Sequence, residues 1–277
     1  MHELAFINGK AQAFTVGDQS WHGLEQNLDR APSYEDALTK YGLLYPLAKK
    51  PYFRPSPQSP TGWTEAGDAF YIEREDTGKV LGSVSDKYEI VTNEQAFKPL
   101  KPLVDQGLLT LETGGVLRDG ADAWLLGRWD LSKFGPNARD VLGDEVLPFS
   151  AVLANHNGRR GILLGVTPIR IVCANTLGVA ETSGVSRWES ISHVSGARER
   201  LIEAAESIFV GIVQRYEVIA RQYRLLKNTG LTELDFSKLV LDVVVPDPRT
   251  RLDFNPEAKL ANVVVDRADR KRAEIHR

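Results

Sequence analysis

The longest periodic pattern in the chain runs from Ser195 to Asn228. Its apolar residues Leu201, Ala205, Ile208, Ile212, Tyr216, Ile219, Tyr223 and Leu226 recur at spacings of three and four, with Gly230 just beyond. That spacing predicts one long amphipathic helix whose apolar stripe lies on a sheet or on another helix. Ahead of it, apolar runs alternate with turn residues. AFYIERE and VLGSVS flank Asp76-Thr77-Gly78. LLTLETGGVL and ADAWLLGRWDL flank a glycine-containing turn. FSAVLA and GILLGVT flank Asn157-Gly158, a pair that accepts positive φ. Three hairpins are predicted, the last followed by a bend at Pro168.

Shorter signals complete the pattern. Pro32 and Ser33 open a helix over 32–41, and Thr92-x-x-Gln95 has the form of a capping box. Pro99 and Pro102 cut that second helix short. Four prolines in 51–62 predict a loop or an extended arm, and 132–147 reads as irregular loop. The predicted class is α+β: antiparallel β-hairpins forming a sheet packed against one long amphipathic helix. The expected divisions are an N-terminal arm with a short helix (1–62), a core of hairpins and long helix (63–230), and a C-terminal helical extension (231–277).

Composition narrows the class of protein. With 277 residues, 42% hydrophobic and 26% charged, the chain is expected to be globular and soluble. No apolar run approaches the roughly 20 residues that span a membrane, and the N-terminus lacks a signal pattern. The single Cys173 leaves no internal disulfide and no Cys-rich zinc site. A reducing, cytosolic setting is expected.

The net charge of -3 is unevenly spread. Residues 151–230 hold ten basic side chains against six glutamates, and 231–277 hold nine of each sign. The first 150 residues therefore carry -7. A dipolar chain suits an anionic partner or head-to-tail assembly into a homo-oligomer.

No nucleotide, hydrolase or zinc-protease motif is present. Histidines stand at 2, 22, 156, 193 and 276, with no pair at metal-ligand spacing. A site of His22, His156, His193 and Cys173 would need tertiary assembly. His156 in H-N-G-R-R is faintly similar to a His-Asn nuclease loop, but that chemistry's metal ligands are not nearby. No catalytic residue, metal or cofactor is therefore expected. Cys173 reads as a buried small side chain. Trp21-His22-Gly23 reads as an anchor for the N-terminal arm or as a surface between subunits.

The candidate binding residues are cationic, amide and aromatic. The Asn157-Gly158 turn projects Arg159 and Arg160, whose forked guanidinium groups match phosphate oxygens. Arg170 interrupts an apolar run, so it either forms a buried ion pair with an N-terminal carboxylate or faces a polar groove. Lys87 would line that groove beside it, and Trp188 or Tyr88 would stack on bases.

S-W-H-G-L at 20–24, the block from Asp76 to Phe97, and P-I-R-I-V-C-A-N-T-L at 168–177 resemble the phage/plasmid-like domain-of-unknown-function family of bacteriophages and mobile elements. The resemblance spans roughly residues 18–230, and its third block is the most specific. It implies a phage context, often near recombination genes. The hairpins-plus-helix plan is also similar, at fold level only, to RecT/Erf-type single-strand annealing proteins. The resulting expectation is a non-enzymatic, oligomeric single-stranded DNA-binding protein for strand annealing. The alternatives are a phage accessory protein that binds a host protein, and a metal-dependent nuclease.

Overall fold

The computed structural model describes residues 2–134, 149–182 and 186–210, together with Arg221 and Leu225. The chain divides into two units, 1–223 and 224–277, and the strands and helices named here all belong to the first.

The chain enters through short strands β1 (Phe6–Ile7), β2 (Lys10–Ala11), β3 (Ala13–Val16) and β4 (Gln26–Leu28). Helix α1 (Tyr34–Lys40) follows, capped as the sequence predicts: the Asp36 amide donates to the Ser33 hydroxyl at 3.1 Å. Strands β5 (Leu47–Pro55), β6 (Trp63–Arg74) and β7 (Lys79–Ser85) form an antiparallel three-stranded ribbon in that order. Residues 51–55 are thus strand. Their prolines are tolerated because β5 is an edge strand and Pro51 flanks a register shift.

The Thr92–Gln95 capping box forms in full and starts α2 (Asn93–Phe97). Pro99 and Pro102 then divide the path into a 3-10 turn and α3 (Lys101–Asp105). Two hairpins come next: β8 (Leu109–Leu117) with β9 (Asp122–Trp129), and β10 (Phe149–Asn155) with β11 (Ile162–Thr167). Beyond the bend at Pro168 the chain enters α4 (Ala174–Thr182), a helix that the apolar pattern does not announce. Strand β12 (Arg187–Ile191) and helix α5 (Ala197–Val210) follow.

The main sheet has the order β12-β11-β10-β9-β8-β3-β4, antiparallel except for β3 beside β4. Every residue of β10 is buried, because both faces of the sheet are covered. On one face Val152, Leu164 and Leu125 pack with Ala37 of α1, Phe97 of α2 and Leu201 of α5. On the other, Trp124, Leu126 and Leu153 pack with Leu177 and Ala180 of α4.

The α+β class therefore holds, with the helical layer redistributed. The longest helix among the described residues is α5, with 14 residues. Its buried Leu201, Ala205 and Ile208 belong to the stripe visible in the sequence. The single long helix is not what covers the sheet: several short helices do so, on both faces. The expected continuation from 211 to 228 lies outside the described residues except at Arg221 and Leu225, which are helical.

Candidate nucleic-acid interface and a histidine–cysteine cluster

The β10–β11 turn is fixed from both ends. Asn155 donates to Asp122 Oδ1 at 2.7 Å, and the His156 amide donates to the Ala121 carbonyl at 2.8 Å. Asn157 Oδ1 accepts the Arg159 amide at 2.9 Å, and Gly158 takes φ +74°. Strand β7 passes so close that a Cβ at Gly82 would lie 2.2 Å from the Asn157 carbonyl oxygen. The turn is thereby seated on the ribbon. Between them opens a groove of about 290 Å³ lined by Ser85, Tyr88, Arg159, Arg160, Ser192 and His193.

The seven residues expected to bind nucleic acid separate into two groups. Arg159 and Lys87 are exposed, and Asn157 shapes the turn. Arg160, half-buried at the groove, is tied down by ion pairs to Asp122, at 2.8 Å, and to Glu181. Arg170 donates to the Val16 carbonyl at 2.7 Å, the Thr15 hydroxyl at 2.8 Å and the Asp18 carbonyl at 2.9 Å. It also stands 3.6 Å from the Glu112 carboxylate, so it ties the N-terminal strand to the core. The Trp188 indole N–H donates to the Ala180 carbonyl at 2.8 Å, and its ring packs on the α4 side of the core. Tyr88 stacks on His193 with centroids 4.6 Å apart, and its hydroxyl reaches the Asn155 carbonyl at 3.4 Å. Burial raises its phenol above the usual range.

His156 points inward. It is fully buried, and its Nε2–H donates to Asn93 Oδ1 at 2.7 Å, while Asn93 donates to the Leu43 carbonyl. Burial and the neighbouring His193 lower its pKa to about 3, against a small opposing pull from Asp122. This histidine is a neutral core group.

The ribbon carries aromatic groups in a stretch whose prolines predict loop. Phe53 pairs with Glu65 and Pro55 with Trp63, which puts Phe53 and Trp63 on one face. They are 57% and 54% exposed, unusual for rings of that size. Tyr52 contacts Tyr71 with centroids 5.1 Å apart, and its hydroxyl bonds Ser83 at 2.8 Å. Arg54, between Phe53 and Pro55, is exposed.

A second constellation assembles from three distant segments. His2, His22 and Cys173 bring one ligand-type atom each within 4.8 Å of one another. Thus His22 and Cys173 do meet, as tertiary assembly required, but their third member is His2. His156 and His193 instead contact each other's rings, with centroids 6.4 Å apart. The Ala174 amide donates to the His2 carbonyl at 3.2 Å, and the His2 ring lies 4.4 Å from both the Trp21 and His22 rings. Burial and His22 lower the His2 pKa. Burial pushes the Glu25 carboxyl up, but hydrogen bonds from Ser20 and the nearby His22 outweigh it and hold it below its usual range.

These features define an α+β protein with a doubly covered sheet, an exposed aromatic ribbon and a polar groove at a hairpin tip. The chain belongs to the family described as Domain of unknown function (DUF932), which it matches over residues 80–268. No curated protein and no solved structure matches it. Among the described residues, no helix is long and apolar enough to cross a membrane.

Proposed function

We propose that the protein binds single-stranded DNA without chemical turnover, in the manner of a strand-annealing protein, and does so as a homo-oligomer. The observation that carries this reading is the exposed Phe53–Trp63 face on a ribbon that runs into the Arg159 groove. Bases stack on exposed rings whatever their identity, and each stacked base contributes about 1–3 kcal/mol. Arg159 and Lys87 supply phosphate contacts. Arg160 and Arg170 act as scaffold. A phage or prophage setting, with the bacterial host cytoplasm as location, accompanies this proposal through the family resemblance.

Fluorescence anisotropy of a labelled oligothymidylate, titrated with protein across a salt series, tests it. Affinity should fall linearly on a log–log plot. The Arg159→Ala/Lys87→Ala double variant should flatten the slope by about 1.4, two single-strand phosphate contacts. Absence of binding at low salt would sink the reading and favour a protein partner for the aromatic face. Capture of a host protein by the same ribbon would then be the outcome to seek.

A further inference from the structure

We infer that His2, His22 and Cys173 form a binding site for one divalent d-block cation of the zinc class. Their donor atoms all lie within 4.8 Å of one another. Three tetrahedral donors around one ion at about 2.0–2.3 Å sit closer than that, so ligation draws them together by up to about 1.5 Å. A thiolate with two imidazoles is the donor set of a borderline metal such as zinc, and a poor one for magnesium or calcium.

The surroundings fit an ion better than they fit the bare side chains. Among the described residues, buried His2 Nδ1 has no hydrogen-bond partner. That is a costly arrangement which ligation would relieve. Cys173 is fully buried at the start of α4, where Thr176 Oγ1 accepts the Val172 and Cys173 amides at 2.9 and 3.1 Å and fixes the turn. The His22 ring is oriented by Ser20, Leu24 and Glu25, with the Ser20 hydroxyl also 3.3 Å from Nε2. Its Nδ1 lies 3.0 Å from both the Ser20 hydroxyl and Glu25 Oε2, and 3.3 Å from the Leu24 amide. A carboxylate behind a histidine is the usual support for a metal-ligating ring.

Binding releases the Cys173 thiol proton to solvent and leaves a three-ligand site with one coordination position for water. It also ties the N-terminus, the 20–25 loop and the start of α4 into one cross-link. Trp21, 71% exposed, forms the rim.

Cobalt(II) added to the full-length, chelator-stripped and reduced protein gives a direct readout. One equivalent should produce a thiolate-to-cobalt charge-transfer band, visible bands of tetrahedral intensity, and quenching of Trp21, all reversed by zinc. Loss of a supporting group alone costs about 10–100-fold in affinity, so Glu25→Gln should fall in that range. His2→Gln and Cys173→Ser, which remove ligands, should each lose at least about 100-fold, and Cys173→Ser should also lose the charge-transfer band. Trp21→Phe should keep the band and remove most of the quenching. His2 lies near the chain end, so His2→Gln serves as the test if Cys173→Ser does not fold. No charge-transfer band in the wild type, or unchanged affinity in His2→Gln, would overturn the assignment.

Discussion

Between pH 6.5 and pH 4 the fold is expected to lose roughly 3 kcal/mol of stability through His156 alone. The unfolded chain protonates this ring below about 6.5, whereas the folded chain keeps it neutral down to about 3. Across that window the unfolded state binds one more proton, so stability rises with pH and is fully present above the unfolded value. The cause is local. His156 sits among Tyr45, Asn93 and His193 with no exposed surface, and an imidazolium there would lose its solvation. Denaturant midpoints measured at several pH values for the wild type and His156→Gln check this. The variant should show a slope shallower by about 1.4 kcal/mol per pH unit. Superimposable slopes would mean that the ring titrates normally in the folded chain.

Replacing Asp122 by alanine is expected to cost about 3–5 kcal/mol, the range found when one partner of a buried ion pair is removed. Asp122 is 2% exposed and receives Arg160, Arg118 and Asn155. Burial alone would push its carboxyl up. The Arg160 charge and the hydrogen bonds from Asn155, Arg160 and Arg118 outweigh that and hold it below the usual range. Its loss leaves the Arg160 guanidinium with Glu181 alone and frees the Asn155 amide that anchors the turn. At about 2–4 °C per kcal/mol for a domain of this size, the melting temperature should drop by about 6–20 °C. A shift of a degree or two in thermal denaturation would show that Asp122 is not the keystone of the hairpin tip.

Much of the sheet was legible because hairpins announce themselves locally. Asp76-Thr77-Gly78 and Asn157-Gly158 sit between apolar runs, and both turns form where the pattern puts them. The caps at Ser33 and Thr92 were legible for the same reason. Helix α4 was not: ANTLGVAET buries only Leu177 and Ala180 and carries a glycine, so it has no stripe to read. Strand β5 was masked by its prolines, which only an edge position explains.

The site residues divided along similar lines. Sequence placed Arg159 and Arg160 on one turn, but only the fold shows that Arg160 is neutralised by Asp122 and Glu181. For Arg170, sequence offered a buried ion pair or a groove position; its bonds run to Thr15, Val16 and Asp18, with Glu112 at 3.6 Å. The meeting of His2 with His22 and Cys173 has no local sequence signal, since about 150 residues separate His22 from Cys173. The exposure of Phe53 and Trp63 became visible only once β5 and β6 were paired.

The most direct measurement of the proposed role compares oligothymidylate affinity of the wild type and Phe53→Ala/Trp63→Ala at one fixed salt concentration. Both rings are exposed, so the variant should fold as the parent does. Loss of stacking should weaken binding by at least about tenfold while the salt slope stays the same. Equal affinities would contradict the account, because the ribbon would then have no part in holding DNA.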